Sequence, residues 1–292
     1  MQKKILITGG SGLLAFNWAL STRSNYAVTL LLHHKKISLL GVETDIASLS
    51  SLDECSSVLA KHQPDIVIHT AGLTNVEECE ANPDLAQEVN VDLAKNIAIA
   101  CSSQGVKLVH ISTDHLFSGD QEFSTEESST SPVNNYAKSK LLGEQQVLEN
   151  CKDTLIVRTN FFGWGTRYRQ SFSDFIISRL RSNIEIKLFQ DVLFTPILIT
   201  ELVRKVHQLI DMNANGIFNV VGNKRLSKYE FGLKLASCFK LDKNLIKPID
   251  ISEKLQLIKR PKDMSLSNNK LVEVTGKLNG INQQIQQLKD NE

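Results

Sequence analysis

The stretch Lys4-Ile5-Leu6-Ile7-Thr8-Gly9-Gly10-Ser11-Gly12-Leu13-Leu14-Ala15 decides how the rest of this chain is read. A short apolar run ends in closely spaced glycines and reopens as an apolar segment of helical character. Glycine lets the backbone turn tightly and lets a pyrophosphate come close, the small Ala15 lets a helix pack on the strand, and a helix N-terminus favours negative charge. The same glycines would also serve a strand-to-helix turn that binds nothing. Lys3 and Lys4 imitate the start of an export signal, but Gly9, Gly10 and Gly12 break the apolar run, and no stretch of about 18 apolar residues occurs anywhere. The expected location is the cytoplasm, with no membrane contact.

Outward from that turn, short β-branched runs alternate with longer amphipathic ones. Residues 27–32, 65–69, 106–112 and 154–158 read as strands. Residues 48–62 and 84–102 read as helices, the second carrying Leu85, Val89, Leu93, Ile97 and Cys101 along one face. Strands so continuously apolar are buried on both faces, as parallel sheets require. The rhythm therefore predicts an α/β fold, a Rossmann-type doubly wound parallel sheet. After about Phe161 the rhythm loosens: residues 172–181, 199–212, 227–239 and 278–288 read as helices, and 184–189 and 216–221 as strands. Residues 1–160 are expected to form the nucleotide-binding Rossmann domain. Residues 161–292 are expected to form a smaller C-terminal α/β lobe, interleaved with returning sheet elements, that binds substrate.

The 292 residues are 41% hydrophobic and 22% charged, with 33 Lys and Arg against 32 Asp and Glu. That balance excludes collagen-like, coiled-coil and disordered classes and leaves no basic field to attract nucleic acid. The five cysteines are scattered and form no C-x-x-C pair, so a reduced compartment is expected, without disulfide framework, zinc ribbon or other metal site.

Three further constellations fall at informative places in the rhythm. His33, His34, Lys35 and Lys36 follow the second strand, where an acid would serve a ribose 2′-hydroxyl; cations there suit a 2′-phosphate, and an exposed basic loop is the plain alternative. Tyr136 and Lys140, four residues apart after Pro132, share one helix face. A phenol with a reference pKa of about 10 needs a nearby ammonium to work near neutrality, which Lys140 could supply, although such pairs also arise on surfaces by accident. Ser112-Thr113-Asp114 places hydroxyls at the carboxyl end of a strand, where open α/β sheets bind ligands, or else caps the loop. The order carries the weight: a glycine turn after the first strand, Thr70-Ala71-Gly72 after the third, hydroxyls after the fourth, Tyr and Lys on the next helix.

With those residues in place, the chain resembles the extended short-chain dehydrogenase/reductase family, and within it the dTDP-4-dehydrorhamnose reductase group. The resembling segments are Pro64 to Gly72, Asn90-Val91-Asp92, His110 to Phe117, Ser131 to Glu144, Arg158-Thr159-Asn160 and Arg260-Pro261-Lys262-Asp263. The resemblance implies NADP(H) as cofactor, with NAD(H) as second candidate. Gly9, Ser11, Gly12, Leu13 and Leu14 would hold its pyrophosphate, His33, His34 and Lys35 its 2′-phosphate, Asp45 and Ile46 its adenine, and Ala71, Gly72 and Leu73 its nicotinamide. It implies a catalytic set of Thr113, Tyr136 and Lys140 supported by Asn90, with Tyr136 and Lys140 also touching the cofactor. The implied activity is NADPH-dependent reduction of a nucleotide-linked 4-keto-6-deoxy sugar, in a protein with the family habit of forming homodimers.

Asp114 and Phe161 match substrate-contacting positions, although the rhamnose reductases carry tryptophan where Phe161 stands, so a different 4-keto sugar remains open. Asn160 opens the segment to Pro196 that, with the loop to Arg260, is expected to form the sugar-nucleotide pocket; Arg167, Arg169 and Arg260 are its candidate pyrophosphate partners. The stretch from Gly216 through Glu230 also resembles the regulatory β subunit of methionine adenosyltransferase, which would make the chain an NADP-binding partner protein. A sugar-nucleotide epimerase of the same family is the third reading.

Overall fold

The computed structural model describes residues 2–166, 168–254 and 256–292, so the sequence candidate Arg167 lies outside the described residues. The chain folds as two compact units, Met1–Thr113 with Asn134–Val157 and Ile210–Ile217, and Asp114–Val133 with Arg158–Leu209 and Phe218–Glu292. Its elements begin β1 (Lys4–Thr8), α1 (Leu13–Thr22), β2 (Ala27–Leu32), β3 (Glu43–Ile46), α2 (Leu52–His62), β4 (Ile66–His69), α3 (Val76–Ala81) and α4 (Pro83–Gln87). A π-helical turn, Glu88–Asp92, leads into α5 (Leu93–Gln104), then β5 (Lys107–Ile111), α6 (Asn135–Asn150) and β6 (Thr154–Arg158). The remainder runs β7 (Phe161–Phe162), α7 (Phe172–Arg181), β8 (Ile186–Phe189), β9 (Leu193–Phe194), β10 (Ile197–Leu198), α8 (Ile199–Asp211), β11 (Gly216–Asn219), β12 (Leu226–Ser227), α9 (Lys228–Phe239), β13 (Ile246–Ile249), α10 (Asn269–Thr275) and α11 (Ile281–Asp290).

A seven-stranded sheet has the order β11-β6-β5-β4-β1-β2-β3. β1 pairs in parallel with β2 on one side and β4 on the other, Lys4 opposite Ala27 and Ile5 opposite Ile66. The chain leaves β1 in one direction, returns to the other side of it, and so opens a crevice at the carboxyl end of β1, where doubly wound folds bind ligands. This is the α/β architecture that the sequence predicts. Leu6, Leu31, Val67, Leu108 and Ile156 form one core face with Cys55, Val58 and Leu59 of α2 and Ala94, Ile97, Ala98 and Cys101 of α5. Each such burial contributes roughly 1–3 kcal/mol.

Two elements differ from the sequence expectation. β3 is a polar edge strand, Glu-Thr-Asp-Ile, whose exposure hides the apolar signal of a sheet strand. The single helix expected over 84–102 is α4, a π turn and α5, and its inner face is made by Ala86, Asn90, Val91, Ala94 and Ile97, while Leu85 is 37% exposed. The second unit packs around Phe231, whose ring meets those of Phe162, Phe194 and Phe172 with centroids 5.1, 5.6 and 6.0 Å away. Ile281, Ile285 and Leu288 of α11 join the same core, so the Gln-rich end is a docked helix.

Thr8, His69 and His110 stand side by side across β1, β4 and β5. All three are buried, the two imidazoles stack with centroids 5.3 Å apart, and the Thr8 hydroxyl bonds His69 Nδ1 at 2.8 Å. Burial above all, and the Lys140 ammonium, push the His69 pKa down to about 3 and that of His110 well below its usual value. Both rings are therefore neutral in the folded protein at every ordinary pH.

Two outcomes follow from this packing. A Cβ at Gly143 in α6 would run into the Asn90 carbonyl oxygen of the π turn, so Gly143→Ala is expected to lower stability by about 1–3 kcal/mol, read as a lower denaturation midpoint. Below pH 6.5 the unfolded chain takes up protons on His69 and His110 that the folded chain refuses, so stability falls as pH drops from 6.5 towards 3, by up to about 1.4 kcal/mol per pH unit for each histidine. Melting curves between pH 7 and 5 should show this slope, and a double His69→Gln, His110→Gln variant should flatten it.

Candidate active site

The turn after β1 is shaped by glycine. Gly9 has φ +66°, and a Cβ there would stand 2.9 Å from the Ala71 backbone; Gly10 donates to Leu31 O at 2.9 Å and Gly12 to Gly9 O at 2.7 Å. Gly12 is the N-cap of α1, so no side chain closes the helix, and its first turn holds no acid. Leu13 and Leu14 are buried and Ser11 half-buried. Loop, backbone donors and helix end thus converge on one place at the carboxyl edge of the sheet.

Across from this turn, the segment after β4 is held by Asn90. Asn90 Oδ1 accepts from the Leu73 N–H at 2.8 Å, and Asn90 Nδ2 donates to Leu73 O at 3.0 Å and to Ser139 Oγ at 2.9 Å. Ser139 in turn donates to Tyr136 O at 2.9 Å. Ala71 N donates to Thr8 Oγ1 at 3.4 Å and Thr70 Oγ1 to Thr8 O at 2.7 Å, which ties the same loop back to β1. The Asn134 side chain caps α6 by accepting from Ala137 N at 2.9 Å, so the helix starts immediately before Tyr136.

Tyr136 and Lys140 are 8% and 5% exposed, which removes the accidental surface-pair alternative. Lys140 Nζ donates to Ile111 O at 2.8 Å, at the end of β5 and two residues before Thr113. Burial pulls the Lys140 pKa down to about 8, while Glu144 one turn along supports its charge. Thr113 is 5% exposed and Ser112 donates its N–H to Val157 O at 2.8 Å, fixing the strand end that carries the hydroxyls. The first unit therefore brings Asn90, Thr113, Tyr136 and Lys140 together around the ends of β4 and β5.

His33, His34 and Lys35 are exposed beyond β2, the two rings tilted with centroids 3.6 Å apart. Asp45 is otherwise engaged: its Oδ2 accepts from Lys61 Nζ at 2.6 Å and lies 2.8 Å from His62 Nε2, contacts that hold its carboxyl below the usual range. Ile46 beside it is 50% exposed.

In the second unit, Asn160 Nδ2 donates to Asp114 Oδ2 at 2.6 Å and His115 Nε2 lies 3.9 Å from Asp114 Oδ1. Arg260 is half-buried and acts electrostatically on His115 and on Lys228. Phe161 pairs with Ile197 in the β7–β10 ladder and is partly exposed, and Arg169 is exposed. Nothing in the sequence marks Lys228 as a member of this group, since Asp114 and Arg260, which act on it, come from distant segments.

The matches to known proteins follow the same pattern. The family model of the RmlD substrate binding domain matches residues 3–291. The chain is 27% identical to the probable low-salt glycan biosynthesis reductase Agl14 of Haloferax volcanii, over 82% of this chain and 81% of that protein. It is 29% identical to the methionine adenosyltransferase 2 subunit beta of Rattus norvegicus, over 72% of this chain and 64% of that protein's length. Among solved structures, the dTDP-4-dehydrorhamnose reductase of Bacillus anthracis, in complex with NADP, superimposes with a TM-score of 0.85 at 26% identity, covering 100% of both chains. A match that runs nearly end to end, on a sheet and helix arrangement of this kind, leaves one assignment: the chain belongs to the RmlD substrate binding domain family of extended short-chain dehydrogenases/reductases.

Proposed function

We propose that this protein is a reductase that uses NADPH to convert the 4-keto group of a nucleotide-linked 6-deoxy sugar to an alcohol. The observation that carries the reading is the buried Tyr136 and Lys140 pair, with the ammonium anchored on Ile111 O two residues before Thr113. The residues fit the dinucleotide. Gly12 leaves the start of α1 uncapped, and a Cβ at Gly9 or Gly10 would fill the cradle, 2.9 Å from Ala71 or Leu31 O. Gly9, Ser11, Gly12, Leu13 and Leu14 would hold the diphosphate, His33, His34 and Lys35 the 2′-phosphate, and Ala71, Gly72 and Leu73 the nicotinamide side. Because Lys61 and His62 occupy the Asp45 carboxylate, the exposed Ile46 is the better adenine contact of the two. When bound, NADPH supplies the hydride.

The chain's own groups supply the proton and its control. Thr113 donates a hydrogen bond to the ketone oxygen and orients it. Tyr136 gives its phenolic proton to that oxygen, and Lys140, whose pKa of about 8 keeps it mostly cationic at pH 7, stabilises the phenolate left behind. Asn90 holds the Leu73 loop and α6 at fixed separation during the step. Asp114, Asn160, Phe161 and Arg260 are assigned to the sugar nucleotide.

The methionine adenosyltransferase β subunits favour a second reading, a regulator that binds NADP without turnover. Turnover separates the two. Purified protein is expected to oxidise NADPH when given dTDP-4-dehydrorhamnose or a related 4-keto-6-deoxy sugar nucleotide, and Tyr136→Phe should lower kcat by about 10²-fold or more without abolishing NADPH binding. No turnover across a panel of such sugars, with capture of a methionine adenosyltransferase, would sink the reductase. NADPH should bind about tenfold or more tightly than NADH through the cations after β2, and replacing His33, His34 and Lys35 by Ala should narrow the gap. Equal wild-type affinities for the two cofactors would show that those cations face solvent only.

A further inference from the structure

Lys228 is a cation without a structural task. It is the first residue of α9, where Ser227 and Glu230 already close the helix end, and its backbone N–H donates to Val192 O at 3.0 Å. Its Nζ lies 3.3 Å from the ring centroid of Phe194 and 5.2 Å from that of Phe172, and among the described residues it has no hydrogen-bond or ion-pair partner. Two other cations of the same unit, Lys205 and Arg225, are treated differently. The fully buried Lys205 donates to Thr275 O, Thr275 Oγ1 and Gly276 O at 2.8, 3.0 and 2.7 Å, and Arg225 grips Asp263 at 2.6 and 2.9 Å. A lysine that serves the fold here is given oxygen acceptors; Lys228 is given two aromatic faces.

The groups that act on Lys228 are Asp114, which favours its charge, and Arg260, which opposes it. Asp114 is already bonded by Asn160 at 2.6 Å, and burial, with Lys228 and Arg260, keeps the neighbouring His115 imidazole below its usual pKa and so neutral. Burial outweighs Asp114, and the Lys228 pKa falls to about 8. Lys228 is half-buried, and an aromatic face attracts an ammonium without accepting its N–H groups as an oxygen would. The missing compensation is an anionic oxygen. A neutral sugar hydroxyl would not provide it, whereas a phosphate accepts from ammonium and guanidinium alike. Asp114 follows Thr113 in the chain.

Resting on the reductase reading, we propose that Lys228 is a specificity-determining residue that binds, with Arg260, the diphosphate bridge of the sugar-nucleotide substrate. Titration calorimetry of the full chain with dTDP, UDP and GDP, and separately with NADPH, tests it. At least one of the three nucleotides is expected to bind, and Lys228→Met, or Lys228→Gln should the first fold poorly, should weaken that nucleotide about tenfold or more, equivalent to ~1.4 kcal/mol. NADPH affinity should not change. The variant should melt no lower than the wild type, because the charge it removes is undercompensated. Undiminished nucleotide affinity in the variant overturns the inference, as does a parallel loss of NADPH binding and thermal stability, which would mark a packing role. If none of the three binds the wild type, the sugar-nucleotide reading falls first and this inference with it.

Discussion

One carboxamide sets the geometry on which the proposed chemistry depends. Asn90 spends both ends of its side chain on Leu73 and a further N–H on Ser139, and so joins the loop after β4 to α6 at a fixed distance. The π turn of Glu88–Asp92 is what delivers it: the wider turn sets Asn90 inward between two α-helical stretches, a distortion that recurs at functional sites. Gly143 completes the arrangement, because only a residue without Cβ lets α6 approach the Asn90 carbonyl so closely. Loss of any one partner would leave a buried amide or hydroxyl unsatisfied, at about 1–3 kcal/mol each, and would free Tyr136 and Lys140 to drift.

Electrostatics explain why the interior behind that clamp is built from neutral polar groups. Lys140 is a cation surrounded by strand ends, with Ile111 O as its acceptor and Glu144 supporting its charge. A second positive charge nearby would be repelled strongly in so dry a place. His69 and His110 fill the row beside Thr8 with bulk and polarity while staying uncharged, because burial and Lys140 together forbid their protonation. Lys140 thus helps to keep the two imidazoles neutral, and the lysine itself keeps its proton at neutral pH.

Much of this was legible in residues 4–158, and for a physical reason. Parallel strands buried on both faces leave uninterrupted apolar runs, and tight turns demand glycine, so β1, β2, β4, β5, β6 and the Gly9 turn all announce themselves. β3 does not, because an edge strand of Glu43, Thr44, Asp45 and Ile46 is polar. The π turn does not either: apolar residues spaced regularly by four, from Leu85 to Cys101, look like one helix, and the small residues Ala86 and Ala94 that pack inward carry little hydropathy signal. The Tyr136 and Lys140 spacing could be read, but the Asn90 to Ser139 bond joins residues 49 apart and exists only once both helices are packed. Lys228 and Asp114 are further apart still, and a lone lysine at a helix start looks like any other.

Helix ends supply the last step. α2, α7 and α9 begin with Ser51, Ser171 and Ser227, each closing its helix in a capping box with the acid three residues on, and α6 begins with Asn134. A side-chain cap of this kind contributes about 0.5–2 kcal/mol over alanine, and glycine at the same position gives up only about a few tenths of a kcal/mol; α11 likewise begins on Gly280 without a side-chain cap. α1 begins on Gly12 with no cap and no acid in its first turn, at the edge of the sheet where the chain reverses direction around β1. Serine at position 12 would close that turn with its own oxygen, and an acid would repel a phosphate. The sequence instead places Gly12 there and fixes it through Gly9 O at 2.7 Å, so the proposed diphosphate would take the place that a capping side chain holds in α2, α6, α7 and α9.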